Sequence, residues 1–256
     1  MKDNKPNLMI NLQKCIKFTV SAFIILLLTS FNNNNEFGTT MNSGLNPQQH
    51  DVISLPEPRL SSQISVEQAL LNRRSVRDFT DEPVTLPEVS QILWSAYGIT
   101  EDRSYPSFLR GGLRTAASAG ALYPLEIYLV AGNVKRLKKG IYRYISDGHS
   151  LKLISEGEFR QDLCNAALDQ EFIAQAPASL VYTAIFNRTT QKYGNRGRER
   201  YVCMDLGHSA QNVYLQAYAL NIGTCAVGAF TDKMVSMVMQ LPDNEEPLYI
   251  MPFGKY

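Results

Sequence analysis

Arg114-Thr-Ala-Ala-Ser-Ala-Gly-Ala-Leu-Tyr-Pro-Leu-Glu-Ile-Tyr-Leu-Val130 is the stretch whose reading decides the fold. Its first half is built of residues small enough for a flat ligand to lie against the backbone. After Tyr123-Pro124 the run Leu125 to Val130 reads as a strand, with Glu126 and Tyr128 alternating against Ile127 and Leu129. A turn of Ala, Ser and Gly at the mouth of a strand admits an aromatic ring system to close range. It serves equally well as a tight packing contact. The surrounding chain has to separate these readings.

Upstream, Ser65 is a candidate N-cap for a helix over Val66 to Asn72, which runs directly into Arg73-Arg-Ser-Val-Arg77. Arg73, Arg74, Ser75 and Arg77 put guanidinium forks and a hydroxyl at one helix end. That chemistry matches phosphate oxygens, or else forms a solvated basic face. Thr85-Leu-Pro-Glu88 is a capping box, and the helix it opens buries Val89, Ile92, Leu93 and Ala96 before ending at Gly98. Glu101 to Gly112 reads as a polar loop.

Downstream, Ile141 to Ile145 and His149 to Ile154 flank Asp147-Gly148 as a hairpin, with His149 expected at an exposed strand start. Leu180 to Phe186 is an apolar run suited to a strand covered on both faces. Asn187 to Arg200 is a polar, basic loop. A long helix over Tyr201 to Leu220 carries an apolar stripe at Leu206, Ala210, Val213 and Ala217, and His208 within it reads as structural. Leu248 to Gly254 is a last strand. One hairpin among irregularly alternating strands and helices predicts an α+β three-layer sandwich rather than a doubly wound parallel sheet.

Composition narrows the function classes. Hydrophobic residues make up 45% and charged residues 19% of the 256, as in a globular chain, and a net charge of +1 argues against nucleic acid as a partner. The three histidines and four cysteines fall into no metal-ligand spacing. Dinucleotide, P-loop and nucleophile-elbow motifs are missing. Lys14 and Lys17 before an apolar Phe18 to Leu28 mark residues 1–35 as a secretory signal or, uncleaved, a membrane anchor. The protein is therefore expected to be exported or membrane-anchored. Residues 36–63, rich in Asn, Ser, Gln and Pro, read as a linker to a domain over 64–256.

Arg73-Arg-Ser-Val-Arg77, Ser118-Ala-Gly-Ala-Leu-Tyr-Pro124, Ala226-Val-Gly-Ala-Phe230 and Pro252-Phe-Gly-Lys255 occur in that order. Together they resemble the flavin-dependent nitroreductase family. Lys192-Tyr-Gly-Asn-Arg-Gly197 and Gly207-His-Ser-Ala-Gln-Asn212 are similar to its SagB/thiazole-oxidase-like branch. The resemblance implies a nitroreductase-like α/β/α sandwich around a mixed, mainly antiparallel sheet, and a homodimer with FMN at the subunit interface. It assigns Arg73, Arg74, Ser75 and Arg77, with Lys255, to the FMN phosphate and ribityl chain. Ser118, Ala119 and Gly120 fall along one face of the flavin, and Val227, Gly228 and Ala229 opposite.

By the same resemblance, Lys192 and Tyr193 match the proton-handling pair of azoline dehydrogenases; as residues they also suit a basic covering loop. The expected activity is two-electron transfer through FMN, from NAD(P)H or another reductant to a nitro- or quinone-like acceptor. The alternatives are a SagB-like azoline (thiazoline or oxazoline) dehydrogenase and an exported, non-catalytic flavin-binding protein.

Overall fold

The structure is a computed structural model and describes residues 52–103 and 105–256. The expected signal or anchor segment, and the first part of the expected linker, lie outside the described residues. The strands are β1 (Val52–Ser54), β2 (Val84–Thr85), β3 (Ile99–Arg103), β4 (Gly111–Arg114), β5 (Leu125–Ala131), β6 (Val134–Lys135), β7 (Gly140–Ile145), β8 (Ser150–Glu156), β9 (Ala178–Ala184), β10 (Gly223–Thr224) and β11 (Glu246–Gly254). The helices are α1 (Val66–Asn72), α2 (Leu86–Tyr97), α3 (Arg160–Ala166), α4 (Phe172–Gln175), α5 (Asn187–Tyr193), α6 (Val202–Ala219) and α7 (Asp232–Val238).

Seven strands form one sheet in the order β1-β8-β7-β5-β9-β11-β10, and every pairing within it is antiparallel. Ser75 adds an isolated parallel bridge to Thr224 at the β10 edge. β5 and β9 lie at its centre, and both are buried along their whole length. Successive side chains of a strand point to opposite faces. Ile127, Leu129 and Tyr182 therefore pack with α2 and α6 on one side, through Ile92, Leu93 and Val213. Tyr128, Val130 and Val181 pack on the other with α3, α4 and α7, through Leu163, Ile173 and Val235. The result is an α/β/α sandwich of α+β class.

The alternation along β5 separates two buried faces, not core from solvent. Burying Glu126 and Tyr128 takes partners: Arg110, Arg143 and Arg188 approach the Glu126 carboxylate at 3.1, 2.9 and 2.5 Å, and the Tyr128 hydroxyl donates to Glu245 at 2.9 Å. Desolvation works against the Glu126 charge, but the three guanidiniums outweigh it and lower the carboxyl pKa.

Both predicted helix starts are capped. The Thr85–Glu88 box is complete at α2, and Ser65 pairs reciprocally with Gln68 at α1. Gly98 ends α2 in extended geometry; what demands glycine there is the Trp94 indole, which would lie 2.2 Å from a Cβ.

Several expectations are corrected. Val52–Ser54, within the expected linker, pairs with β8, and Leu55 is buried. Glu101 to Gly112 holds most of the β3–β4 pair, not an irregular loop. Asn187 to Arg200 is not a loop: it holds α5 and most of a π-helical turn over Gly197–Tyr201. His149 is half-buried and bonded to Ser90 at 2.7 Å and Tyr144 at 2.8 Å, fastening the segment after β1 through the Pro56 carbonyl. None of these partners is close to its residue in sequence except Tyr144. No helix among the described residues is long and apolar enough to cross a membrane.

Candidate active site

The basic run follows directly from α1. Arg73 is the helix C-cap, after which the chain extends along β10, with the Val76 N–H donating to the Thr224 carbonyl at 2.9 Å. Gly223 is required there, because a Cβ would meet Val76 at 2.6 Å. The Ser75 hydroxyl lies 3.1 Å from the Tyr214 hydroxyl, and Arg73 sits over the Tyr214 ring at 5.2 Å. That same hydroxyl accepts the Ala226 N–H at 2.8 Å. Tyr214 thus ties the basic run to the segment leading to Gly228.

Arg74 turns back and donates to the Leu71 and Arg73 carbonyls, so it caps its own helix. Arg77 lies 5.8 Å from the Phe172 ring centroid. Arg73 and Arg77 have no carboxylate in ion-pair range among the described residues. The Lys255 carbonyl accepts the N–H of Thr80, three residues beyond Arg77, at 2.9 Å, and its ammonium is paired with Glu88 at 2.5 Å. Val227 is buried and exchanges both backbone hydrogen bonds with Ile250, so its N–H is not free for a ligand. Gly228 and Ala229 are exposed.

The small-residue turn is built around a buried carboxylate. Asp205, in the first turn of α6, accepts from the Ser118 hydroxyl at 2.5 Å and from the Ala119 N–H at 3.3 Å. Ser118 in turn accepts the Tyr123 N–H at 2.9 Å, closing the turn on itself. Burial raises the Asp205 pKa despite those two donors. His208, one turn further along α6, makes a 3.0 Å hydrogen bond with the Ala117 carbonyl.

Gly120 has φ +63°, and a Cβ on it would lie 2.7 Å from the Tyr193 hydroxyl and 3.1 Å from the Lys192 ammonium. The end of α5 therefore touches the turn. Lys192 is exposed, and Tyr193 packs edge-on against Tyr201 at 4.9 Å.

Within one chain these residues form two groups: Arg73, Ser75 and Arg77 with Tyr214, and Ser118 to Gly120 with Asp205, Lys192 and Tyr193. Asp205 and Tyr214 are nine residues apart on α6, roughly 13 Å along its axis. The chemistry of the first group fits a phosphate monoester, with two guanidiniums free of carboxylates and a hydroxyl. In the second, small residues end in an exposed Gly120 whose missing Cβ leaves room for the Tyr193 hydroxyl and the Lys192 ammonium. Among the described residues no cluster of His, Cys, Asp and Glu is arranged to hold a metal ion. Sequence reading missed Tyr214 and Asp205, since a tyrosine and an aspartate within a helix carry no local signal.

The nitroreductase family model matches residues 70–255, which takes in both groups. The chain belongs to the nitroreductase family. A family relative from Methanocaldococcus jannaschii, provisionally named a nitroreductase, is 44% identical over 205 residues, covering 80% of this chain and 98% of its own length. The microcin B17-processing protein McbC of Escherichia coli is 29% identical over 148 residues. That match covers 55% of this chain and 54% of McbC. Among solved structures, a provisionally named nitroreductase of Ralstonia eutropha superposes with a TM-score of 0.68 at 27% identity, covering 82% of this chain and 91% of that one. Membership carries with it a general role as an oxidoreductase.

Proposed function

We propose that this protein is an FMN-dependent oxidoreductase that moves two electrons from NAD(P)H or another reductant to a nitro- or quinone-like acceptor. The observation that carries the reading is the carboxylate-free Arg73, Ser75 and Arg77 group at the sheet edge, in a chain that also presents an exposed small-residue turn at Gly120. FMN, when bound, supplies the two-electron carrier. The chain's part is placement. Arg73 and Arg77 hold the phosphate, Ser75 is fixed by Tyr214, and the Ser118–Gly120 turn, braced by Asp205, sets the floor for the ring.

We propose further that the protein is a homodimer in which the phosphate group of residues from one subunit meets the small-residue turn of the other. Val66, Leu70 and Leu71 on α1 support this, being exposed at 63%, 53% and 72% in the single chain.

A second reading, azoline dehydrogenation, has its own support: Lys192 and Tyr193 stand against Gly120, and McbC is a relative. In that reaction one of the pair takes a proton from the azoline ring. The hydride leaves the neighbouring carbon; bound FMN would supply its acceptor, with oxygen the final oxidant.

The absorbance spectrum tests both. A purified protein carrying flavin that bleaches under NADH or NADPH supports nicotinamide-driven reduction; a protein that cannot be loaded with FMN sinks every flavin reading. Lys192→Ala and Tyr193→Ala separate the two activities, because azoline oxidation should be lost while nicotinamide oxidation persists. Residues 1–35 would carry the enzyme out of the cytosol; outside it free nicotinamide is scarce, and another reductant is the natural donor.

A further inference from the structure

A cavity of about 310 Å³ opens between the start of β5, the end of β7 and the residues leading into β4. Arg110, Arg114, Arg143 and Arg188 all line it, with Tyr97 and Tyr144. Four guanidiniums face few acids. Glu126 is shared by Arg110, Arg143 and Arg188, and Glu245 stands 3.4 Å from Arg143 while also accepting from Tyr128 and Thr183. Asp147 lies on the exposed rim. Arg114 has no carboxylate at all in ion-pair range among the described residues. Its guanidinium stacks on Tyr97 at 4.6 Å and Tyr123 at 5.1 Å and donates to the Tyr97 and Arg110 carbonyls and to Ser146.

Three Nε–H groups, on Arg110, Arg114 and Arg143, are buried without an acceptor. Cations held part-buried with donors unspent are costly unless an anion compensates them. Planar guanidiniums match the oxygens of carboxylate or phosphate in pairs. The volume sits at the small end of ligand pockets, and the tyrosine walls with Leu125 and Ile127 suit a short organic body.

We propose that this cavity binds a small organic oxyanion, through a carboxylate or phosphate held by Arg110, Arg114, Arg143 and Arg188. The site does not rest on the flavin reading. It adjoins the candidate active site through Tyr123, whose carbonyl accepts from Arg110 and, at 3.3 Å, from Arg188, while its N–H donates to Ser118. Arg188 also stands one turn before Lys192 on α5. The cavity and the turn that carries Gly120 thus share Tyr123 as a common hydrogen-bond partner. Burial and the neighbouring guanidiniums of Arg188 and Arg114 lower the Arg110 pKa to about 10, against the pull of Glu126, which is the stress an incoming anion relieves.

The test is calorimetric titration of the full chain at low salt with inorganic phosphate and, separately, with benzoate. The background is Arg73→Gln with Arg77→Gln, which removes the other cationic group. One site per chain is expected for at least one anion, weakening as salt is added. Phosphate binding alone assigns a phosphate ligand, and benzoate binding assigns a carboxylate. Ser146→Asp, which places a resident carboxylate beside Arg114, should weaken binding at least tenfold. Arg188→Gln should do the same and serves if the first variant does not fold. Binding of neither anion, or binding left unchanged in a folded variant of either kind, overturns the proposal.

Discussion

Gly120 shows how much of the site hangs on a missing side chain. Its φ of +63° disfavours any Cβ, and a Cβ would also collide with Tyr193 and Lys192. Gly120→Ala should therefore destabilise the protein by about 1–3 kcal/mol in urea unfolding. Adding Tyr193→Ala should recover the collision part but not the backbone strain, so the double variant falls between. Equal losses with and without Tyr193 would show that the contact contributes nothing. Arg73 makes a second test at this scale. Removing a charge-assisted phosphate contact is worth about 1.5–3 kcal/mol. Arg73→Ala should thus weaken FMN binding by roughly ten- to a hundredfold in a fluorescence titration, and unchanged affinity would move the phosphate elsewhere.

The start of α3 supplies a test in acid. Arg160 and Lys139 bind the Glu158 carboxylate at 2.8 Å each and hold its pKa at about 2, well below the ordinary 4.5. A carboxyl whose pKa is depressed on folding stabilises the folded state above its unfolded value and loses that contribution as pH falls. The wild-type melting temperature should consequently drop more steeply than that of Glu158→Gln between pH 4.5 and pH 2. Parallel curves would mean the contacts persist in the unfolded chain.

Legibility at this scale followed the range of the signal. Capping boxes, the Asp147-Gly148 hairpin and the apolar run of β9 are local patterns, and each element formed near its expected place. The β3–β4 pair and α5 were missed because their polar sequences carry no periodic apolar face. His149 was misplaced because Ser90 and the Pro56 carbonyl are brought to it by the fold. The small-residue turn was legible as a close-approach site, but Asp205, which braces it from 86 residues away, was not.

At the scale of the molecule, the exposed apolar side of α1 makes the oligomeric state the informative measurement. Sedimentation should give about twice the 28.7 kDa chain mass, and Leu70→Glu with Leu71→Glu should return it to a monomer that also binds FMN less tightly. A wild-type monomer would remove the dimer proposal. The order of the sheet has a further consequence, for synthesis. β11, last of the described strands in the chain, is inserted between β9 and β10 rather than added at an edge. Until residue 254 has emerged from the ribosome, β9 presents an open row of peptide groups where its neighbour belongs. At about 5–20 residues per second, translation leaves that gap exposed for seconds after β9 itself is made. The edge of β9 is thus an aggregation-prone surface until β11 covers it.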